Sequence, residues 1–330
     1  QEQDYESPDD FSDVKGQKVA KLALEIASAG GHNALMIGSP GSGKSMLAKR
    51  IPSILPPMTF RESIETTKIY SIAGVLDRDT PLIVKRPFRS PHHTVSDVAL
   101  VGGGRIPKPG EISLAHNGIL FLDELPEFRK DSLDLMRQPL EDGVITITRS
   151  GGSVTYPASF MLCAGMSPCP CGNYGSAQRR CTCLPNDIRR YRARISGPLL
   201  DRIDIQVEVD GVDYDALVSR VSEEPSSAVK ARADAARKIQ RERFEGTRAV
   251  TNSEMGEREL REYCQLSEEC EEILKEAFKR LHLSARARSR ILKVARTIAD
   301  LGYCEEIAPE HLYEAISYRT YGAETGEELL

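Results

Sequence analysis

The sequence lacks any long apolar run. No stretch reaches the roughly 18 consecutive apolar residues that a membrane-spanning helix needs. A signal peptide is also missing from the start of the sequence, because QEQDYESPDD is acidic and has neither a basic nor an apolar region. We therefore predict no membrane contact and a cytoplasmic location. The abrupt acidic start further predicts that the chain is part of something longer.

An excess of positive charge is missing as well. The 330 residues include 44 Lys and Arg against 49 Asp and Glu, which gives a formal net charge of −5. Because this overall field does not favour nucleic acid, any contact with nucleic acid needs a local basic surface. With 40% hydrophobic and 28% charged residues, the composition is that of an ordinary globular protein. The length suits one large or two ordinary domains.

Short apolar runs alternate with helical patterns over the first two thirds of the chain. Strands are predicted for NALMI, GILFLDE, SFMLCAG and IDIQVEV, and a helix is predicted from about residue 130 to 141. This alternation predicts an α/β fold with a mostly parallel, doubly wound sheet. Later segments are helical by pattern, over 226–245, 256–263, 267–282, 284–302 and 309–319. We predict an α/β domain over residues 1–215 and a helical lid domain over 216–330.

A glycine-rich stretch, GSPGSGKS over residues 38–45, fits the phosphate-loop pattern GxxxxGK[ST], also called Walker A. It lies between a predicted strand and a predicted helix, which is the context that the pattern requires. Glycines let backbone N–H groups wrap phosphates, Lys44 would reach the β- and γ-phosphates, and Ser45 would ligate Mg²⁺. A plain glycine turn is the alternative. The predicted ATP-binding residues are Gly38, Ser39, Pro40, Gly41, Ser42, Gly43, Lys44 and Ser45.

A second motif, ILFLDE, supplies the acidic partners that this loop needs. Asp123 ends an apolar strand and can hold Mg²⁺, directly or through water, while Glu124 can polarise the attacking water. A DE pair after an apolar run is often only the end of a strand. Together with the loop at 38–45, it predicts a Walker B motif and an ATPase.

Several longer strings resemble one family. FSDVKGQ, GSPGSGKS, PGEISLAHNGILFLDELPEF, RISGPLLDRIDI and SARARSRILKVARTIADL together resemble the magnesium-chelatase-like AAA+ ATPases, in the ComM/YifB competence branch. The resemblance covers nearly the whole chain. Members of this branch usually carry an N-terminal Lon-protease-like domain, which this sequence lacks.

The resemblance implies further nucleotide-binding residues. AAA+ enzymes form rings, usually hexamers, in which a neighbouring subunit supplies an arginine finger; Arg202 matches that position, with Arg194 as the reserve candidate. Arg286 matches the sensor-2 position, from which it would reach the phosphates, and Val14 and Gln17 match positions near the adenine. The alternatives are an ion pair within the same subunit for Arg202 and Arg194, and a solvated side chain for Arg286.

One position departs from the family pattern. Ser167, in AGMSPCPCG, stands where the family usually has the sensor-1 Asn that helps to position the hydrolytic water. Serine is shorter, but it can still donate and accept a hydrogen bond. We expect ATP binding to persist, whereas the departure puts the rate of hydrolysis in question.

Two segments resemble the pore elements of related motors. A segment rich in Gly, Pro and basic residues, about 76–112, resembles the insertion in helix 2 of this clade, and the predicted hairpin at 144–156 resembles the pre-sensor-1 hairpin. Arg149 at the hairpin tip, with Arg105 and Lys108 in the insertion, are the candidates for sequence-independent contacts to DNA phosphates. Solvated side chains are the alternative.

Two adjacent histidines, His92 and His93, invite interpretation as a metal site. No third ligand stands at a sensible spacing from them. We therefore predict loop packing or hydrogen bonding for this pair.

Four of the eight cysteines lie in one loop, at 166–183. Cys169, Cys171, Cys181 and Cys183 form two CxC pairs that could hold a structural, tetrahedral Zn²⁺. CxC is tighter than the usual CxxC spacing, so reduced free thiols and redox chemistry stay open as alternatives. We predict ordinary packing for the remaining cysteines, Cys163, Cys264, Cys270 and Cys304.

The resemblance implies an ATP-dependent ring motor that moves DNA through its pore. Within the family, the implied activity is DNA branch migration as a helicase during recombination and natural transformation. Two alternatives stay open: a protein-remodelling ATPase subunit of a chelatase-like complex, and a weakly hydrolysing, nucleotide-switched scaffold. The implied cofactors are ATP and Mg²⁺, and the implied partners are single-stranded or branched DNA and further copies of the chain.

Overall fold

The structure is a computed structural model that describes residues 9–77, 79–105, 107–149, 152–176, 179–211 and 222–319. The strands in these residues are β1 Ala34–Ile37, β2 Phe88–Arg89, β3 Gly102–Gly103, β4 Lys108–Pro109, β5 Ile119–Leu122, β6 Val144–Arg149, β7 Gly152–Pro157, β8 Met161–Met166 and β9 Ile205–Glu208. The α-helices there are α1 Lys18–Gly30, α2 Lys44–Arg50, α3 Phe60–Ala73, α4 Asp97–Val101, α5 Glu111–Leu114, α6 Lys130–Asp134, α7 Arg137–Asp142, α8 Pro185–Arg192, α9 Gly197–Leu200, α10 Ser226–Arg243, α11 Glu257–Tyr263, α12 Glu268–Arg280, α13 Ala285–Leu301 and α14 Pro309–Ser317.

The chain divides into two compact units. The first unit holds the described residues before Pro57 together with those from Ile203 onward, and the second unit is Pro57–Arg202. The predicted domain boundary between residues 215 and 216 falls in 212–221, which lies outside the described residues. The division into a core and a lid domain therefore stays a prediction.

The first unit is built on two parallel strands, β1 and β9. Ala34 is in register with Ile205 and Ile37 with Glu208. Every residue of β1 is buried, as expected for a short apolar run in a parallel sheet that is covered on both faces. Helix α10 packs against α1 in this unit. Ala29 of α1 forms a buried cluster with Ala233 and Ala236 of α10.

The second unit contains three parallel strands, β2, β5 and β8. Phe88 pairs with Ile119, and Ile119 pairs with Met161 on its other side. An antiparallel hairpin, β6 with β7, lies where the sequence predicts it. Parallel strands, flanking helices and a helical C-terminal region confirm the predicted α/β fold class.

One predicted helix is wrong in detail. The sequence pattern predicts a single helix over about 130–141, but the structure has two short helices, α6 and α7, separated at Leu135 and Met136. Pro139 explains the interruption, because proline has no N–H to donate to the carbonyl of Leu135 in a continuous helix.

A buried polar network joins the C-terminal helices of the first unit to its strands. His32 Nδ1 lies 3.1 Å from Asp204 Oδ2, and His32 Nε2 lies 2.7 Å from Thr297 Oγ1 on α13. Arg290, on the same helix, donates to Asp204 Oδ1 at 3.0 Å. His32 and Asp204 are both buried, so their interaction is shielded from solvent.

The network continues along α13. Asp300 is buried and accepts hydrogen bonds from Arg243 at 2.6 and 2.7 Å, from Asn252 at 2.8 Å and from Arg296 at 3.2 Å. A buried carboxylate of this kind needs such partners, because an unpaired charge is very costly to remove from water. These bonds tie α10, α13 and the Asn252 turn to one another.

Burial shifts the ionisation of the pair at the centre of this network. Burial lowers the pKa of His32, against the opposing effect of Asp204. Burial alone would raise the pKa of Asp204, but the Arg290 charge and the His32 hydrogen bond outweigh it and lower the pKa to about 2. The folded protein therefore holds a neutral histidine beside a charged carboxylate.

We expect acid to destabilise the protein in two stages. Below about pH 6.5 the unfolded chain protonates His32 while the folded chain resists it, so the free energy of unfolding falls as the pH falls. Between about pH 4 and pH 2 the Asp204 carboxylate is lost, which removes about 2 kcal/mol more. Urea unfolding followed by circular dichroism at a series of pH values measures both stages.

The variant His32→Gln tests the upper stage and should reduce the loss of stability between pH 7 and pH 5. His92→Gln is the matched control, because His92 is exposed, and it should keep the wild-type pH dependence. Equal pH dependence in wild type and His32→Gln would show that His32 does not carry the effect.

Candidate functional site

The phosphate-loop pattern forms a tight turn after β1 in the first unit. Gly41 and Gly43 have φ of 80° and 99°, in the left-handed region that favours glycine. At Gly38 a Cβ atom would lie 2.2 Å from the carbonyl oxygen of Val209. Any side chain at Gly38 would therefore push the loop away from the end of β9.

Two polar side chains of this loop are placed to meet a charged ligand. Lys44 begins α2 and is buried, and its ammonium group donates to the carbonyl oxygens of Gly38 at 2.7 Å and Ser39 at 2.9 Å. The buried Ser42 hydroxyl has no hydrogen-bond partner among the described residues. A cradle that only glycine fits, with an ammonium group and a buried hydroxyl beside it, suits the oxygens of a phosphate chain.

Gln17 lies against the same loop. Its side-chain amide donates to the carbonyl oxygen of Ser42 at 3.2 Å and also to that of Asp210. Val14 is buried three residues earlier, and its carbonyl accepts a bond from Lys21. The structure thus brings Gln17 to the phosphate loop, while the adenine contact predicted for both residues stays a prediction.

The sensor-2 candidate lies at the start of α13. Arg286 is exposed in the first turn, after Ser284, whose hydroxyl accepts from the N–H of Ala287. Arg290 lies one turn later and pairs with Asp204. Sequence reasoning missed Arg290, although a second arginine at i+4 on a helix marks the same face.

The acidic pair in the second unit has an unusual backbone. The backbone N–H of Glu124 donates to Asp123 Oδ1 at 3.0 Å, and Glu124 itself adopts a left-handed φ of 53°. A non-glycine residue in that conformation carries a free-energy cost, and such residues cluster at functional sites. The backbone turns sharply at the point where the carboxylates follow β5.

A histidine for which the sequence predicts loop packing or hydrogen bonding lies beside Glu124. His93 Nδ1 is 3.6 Å from Glu124 Oε2, and its ring is tilted by 35° against the His92 ring with the ring centres 4.0 Å apart. The signal was present, because these histidines follow β2, which neighbours β5, and the carboxyl ends of parallel strands meet at one edge of a sheet. His93 is therefore an additional candidate residue of the site.

Ser167 follows β8 directly, and a tyrosine lies near its backbone. The backbone at Ser167 lies near the phenol of Tyr191, on α8, and opposes the rise of the phenol's pKa. Tyr191 is buried, and burial raises its pKa to about 12, so the phenol stays protonated. Arg194 lies 5.9 Å above the Tyr191 ring and pairs with Glu127 at 2.8 Å.

Arg202, the arginine-finger candidate, is engaged within its own unit. Its guanidinium pairs with Glu141 and donates to the carbonyl of Pro198 at 2.5 Å. The side chain is almost fully buried, at 7% exposure. A role on a neighbouring subunit's nucleotide therefore requires Arg202 to exchange Glu141 for that ligand, and the role stays a prediction, as it does for Arg194.

The two predicted pore elements contact each other. The hydroxyl of Tyr156, on β7, donates to the carbonyl of Pro107 in the insertion at 2.7 Å. A Cβ atom on Gly102 would lie 2.8 Å from Ile147 Cδ1, so the insertion backbone packs closely on the hairpin. The basic candidates lie on these elements: Arg105 and Lys108 are exposed in the insertion, and Arg149 ends β6.

The four loop cysteines converge on one point. Cys169 Sγ lies 3.4 Å from Cys171 Sγ and 3.7 Å from Cys181 Sγ, and all four sulfur atoms lie within 4.8 Å of one another. Backbone N–H groups of Cys171 and Tyr174 donate to cluster sulfurs at 3.3 Å. Backbone bonds from Thr182 and Asn173 lower the pKa of Cys171 to about 5. The arrangement has the donor number and type of a closed zinc site.

Of the other cysteines, three are packing residues as predicted and one is not. Cys163, Cys264 and Cys270 are buried. Burial raises the pKa of the Cys163 thiol to about 12. Cys304 is exposed, so the prediction of ordinary packing is wrong for it.

The chain matches the family model described as magnesium chelatase, subunit ChlI, over residues 10–217, and the model of the C-terminal part of that subunit over residues 223–319. It therefore belongs to the magnesium chelatase ChlI family of AAA+ proteins. The α/β fold and the phosphate loop agree with this membership.

Relatives place the chain more narrowly. It is 47% identical over 321 residues to the YifB protein of Salmonella typhimurium, covering 96% of the chain and 62% of that relative. It is also 47% identical over 311 residues to the competence protein ComM of Haemophilus influenzae, covering 94% and 60%. The chain thus spans about six tenths of the length of these relatives. This likeness confirms the resemblance to the ComM/YifB branch.

A more distant likeness links the chain to the chelatases proper. The magnesium-chelatase 67 kDa subunit of Chlorobaculum parvum is 29% identical over 164 residues, covering 48% of the chain and 23% of that subunit.

In the described parts of the chain, no helix combines the length and the apolarity that crossing a bilayer requires.

We expect Gly38→Ala to weaken ATP binding by at least about tenfold, because the added Cβ would collide with the Val209 carbonyl and displace the loop. Titration with a fluorescent ATP analogue and Mg²⁺ measures the affinity. Gly197→Ala is the matched control, since a Cβ there meets nothing within 4 Å. Unchanged affinity in Gly38→Ala would contradict the assignment of this turn to phosphate binding.

Proposed function

We propose that this chain is the ATP-hydrolysing part of a ring-forming DNA motor, acting in branch migration of recombination intermediates during DNA uptake. The observation that supports the ATPase most directly is the phosphate loop, with its glycine-only approach at Gly38 and the buried Lys44 and Ser42. The likeness to the competence protein ComM supports the role in DNA uptake. We place the protein in the cytoplasm.

The roles in the nucleotide reaction follow from chemistry. Lys44 binds the β- and γ-phosphates, Ser45 and Asp123 hold Mg²⁺, and Glu124 orients the attacking water. Val14 and Gln17 contribute to the adenine side. When bound, Mg²⁺ neutralises charge on the phosphate oxygens.

Charge that develops during phosphoryl transfer needs further donors. We assign this role to Arg286 within the subunit and to Arg202 of a neighbouring copy, with Arg194 as the reserve candidate. Ser167 takes the sensor-1 role, since its hydroxyl can still hydrogen-bond to the water or the γ-phosphate. This arrangement requires a ring, for which we propose a hexamer.

The DNA contacts are proposed for the hairpin and the insertion. Their link through Tyr156 and Pro107 supports a combined basic surface, to which we assign Arg105 and Lys108 together with Arg149 from the end of β6. Cations on such a surface bind phosphates without reading sequence, as a motor that moves along DNA requires.

We also propose that the four loop cysteines bind a structural Zn²⁺. Zn–S bonds of about 2.3 Å in a tetrahedron place the sulfur atoms about 3.8 Å apart. The sulfur–sulfur separations of 3.4, 3.6 and 3.7 Å among Cys169, Cys171 and Cys181 are close to that edge length. A disulfide would instead require about 2.05 Å.

Lys44→Ala should lower ATP turnover by at least about 100-fold, because it removes the cation that stabilises charge on the transferred phosphoryl group. Steady-state phosphate release measures turnover, with branched and single-stranded DNA each present or absent. Wild type should be stimulated by DNA. Lys279→Ala, an exposed lysine on α12, is the matched control.

Three results would count against this function. ATP turnover that persists in Lys44→Ala would contradict the nucleotide site. Turnover that DNA never raises at low salt would contradict the DNA motor. Stimulation by a protein partner instead would favour a protein-remodelling ATPase.

Lys108→Ala and Arg149→Ala should each weaken DNA binding and reduce the slope of log K against log salt concentration by about 1, because each removes one phosphate contact. Fluorescence anisotropy with labelled DNA at several salt concentrations measures both quantities. Lys279→Ala should leave the slope unchanged. An unchanged slope in both pore variants would remove these residues from the DNA surface.

A further inference from the structure

The cysteine cluster is connected directly to the end of β8. Only Pro168 separates Ser167 from Cys169, and Cys169 is fully buried. Arg192 of α8 donates to the carbonyl of Pro168 at 3.2 Å. Any movement of Cys169 would therefore be passed to Ser167 through one intervening residue and to α8 through one hydrogen bond.

A second contact joins the same helix to the loop between the cysteine pairs. The Arg192 guanidinium lies 5.2 Å from the ring centre of Tyr174, and the backbone N–H of Tyr174 donates to Cys169 Sγ. A cation over an aromatic face is stabilising within about 6 Å. Arg192 thus contacts the loop on both sides of the first cysteine pair.

The part of the loop that leads back to α8, residues 179–184, is poorly buried. Among the described residues 179–184 none is buried, and Leu184 is 67% exposed. Apolar burial therefore contributes little to fixing this segment, and Cys181, Cys183 and the backbone of Thr182 make its contacts with the first cysteine pair. Four thiols without a metal offer only weak hydrogen bonds, whereas four thiolate–zinc bonds close the loop.

The helix that follows returns to Ser167. Burial raises the pKa of the Tyr191 phenol and the backbone of Ser167 opposes the rise, which places the two groups near each other. Arg194 pairs with Glu127, three residues after Glu124. Contacts therefore lead from the cysteine cluster through Pro168 to α8, and from α8 back to Ser167, all within the second unit. Tyr191 and Arg192 connect the metal ligands to the residue assigned to the sensor-1 role.

We propose that Zn²⁺ bound by Cys169, Cys171, Cys181 and Cys183 fixes the position of Ser167 through Arg192 and Tyr191, so that metal loss slows ATP hydrolysis but leaves ATP binding intact. This inference rests on the proposed ATPase function and on the proposed zinc site. Tyr191 and Arg192 act as positioning residues, since neither is assigned a contact with the nucleotide.

Metal binding is tested first, without reference to activity. Wild-type protein is loaded with Co²⁺ in place of Zn²⁺, and the visible bands of a tetrahedral cobalt–thiolate centre are recorded with the bound-metal ratio. We expect one metal per chain in wild type and none in Cys181→Ser with Cys183→Ser. Cys183→His, which keeps a zinc-ligating side chain, should retain the metal. Cys304→Ser is the control, because Cys304 is exposed and outside the cluster.

Coupling to hydrolysis is tested next, on the same proteins. Without metal, single-turnover hydrolysis should slow by about tenfold, the scale of losses when groups supporting a metal site are removed. The Kd for an ATP analogue should stay within about twofold, because the phosphate loop is unchanged. Cys183→His should recover the rate together with the metal, which separates this effect from misfolding.

Tyr191→Phe tests the link itself. It should keep the metal and the ATP affinity but lower the hydrolysis rate about fivefold, the equivalent of one hydrogen bond. Absence of the cobalt–thiolate bands in wild type would overturn the metal site, and hydrolysis that is indifferent to metal would overturn the coupling alone. A wild-type chain that binds metal and ATP but never hydrolyses ATP would instead overturn the proposed motor.

Discussion

The first unit depends on the bonds that the buried carboxylate of Asp204 accepts. This carboxylate lies at the entrance to β9 and accepts bonds from His32, which follows α1, and from Arg290 on α13. Removing Arg290 would leave this charge with only the hydrogen bond from neutral His32, in a place that water does not reach, which costs several kcal/mol. An apolar core could hold these elements together, but it would fix their relative register less strictly than a set of directional bonds. Arg286, the sensor-2 candidate, lies one helical turn before Arg290. The contact between Arg290 and Asp204 therefore also fixes the position of the helical turn that carries Arg286.

Local features of the site could be predicted from the sequence, because they depend on neighbouring residues alone. The turn at 38–45 needs glycines at positions with positive φ, and the sequence has Gly41 and Gly43 there. The hairpin follows from alternating residues around two glycines. The interruption of the helix over 130–141 also has a local cause, because Pro139 lacks the N–H that a continuous helix needs. In each of these cases, the residues of the pattern are themselves the cause of the local structure.

Contacts between distant residues could not be predicted in the same way. The approach of His93 to Glu124, the hydrogen bond from Tyr156 to Pro107 and the contact of Tyr191 with Ser167 join residues that are 24 to 49 positions apart. Each depends on which strands are neighbours and on the direction in which a loop leaves its strand. Spacing in the sequence predicts the strands, but it does not predict the side chains that meet at their ends. The cysteine loop is an intermediate case, because its donors were evident while their convergence required the fold.

The arginine candidates show how burial changes the meaning of a motif. An arginine side chain as buried as that of Arg202 needs an acidic partner, which Glu141 supplies. Arg194 has a similar partner in Glu127, but about half of its side chain is exposed. Exchanging a partner costs less at an exposed site, because water compensates the groups during the change. Arg202 would gain more from a phosphoryl group in a dry site, since electrostatic interactions strengthen as the local dielectric constant falls. Burial would therefore make the exchange of Glu141 for a triphosphate slower. Once that exchange had occurred, the same burial would make Arg202 the stronger hydrogen-bond donor.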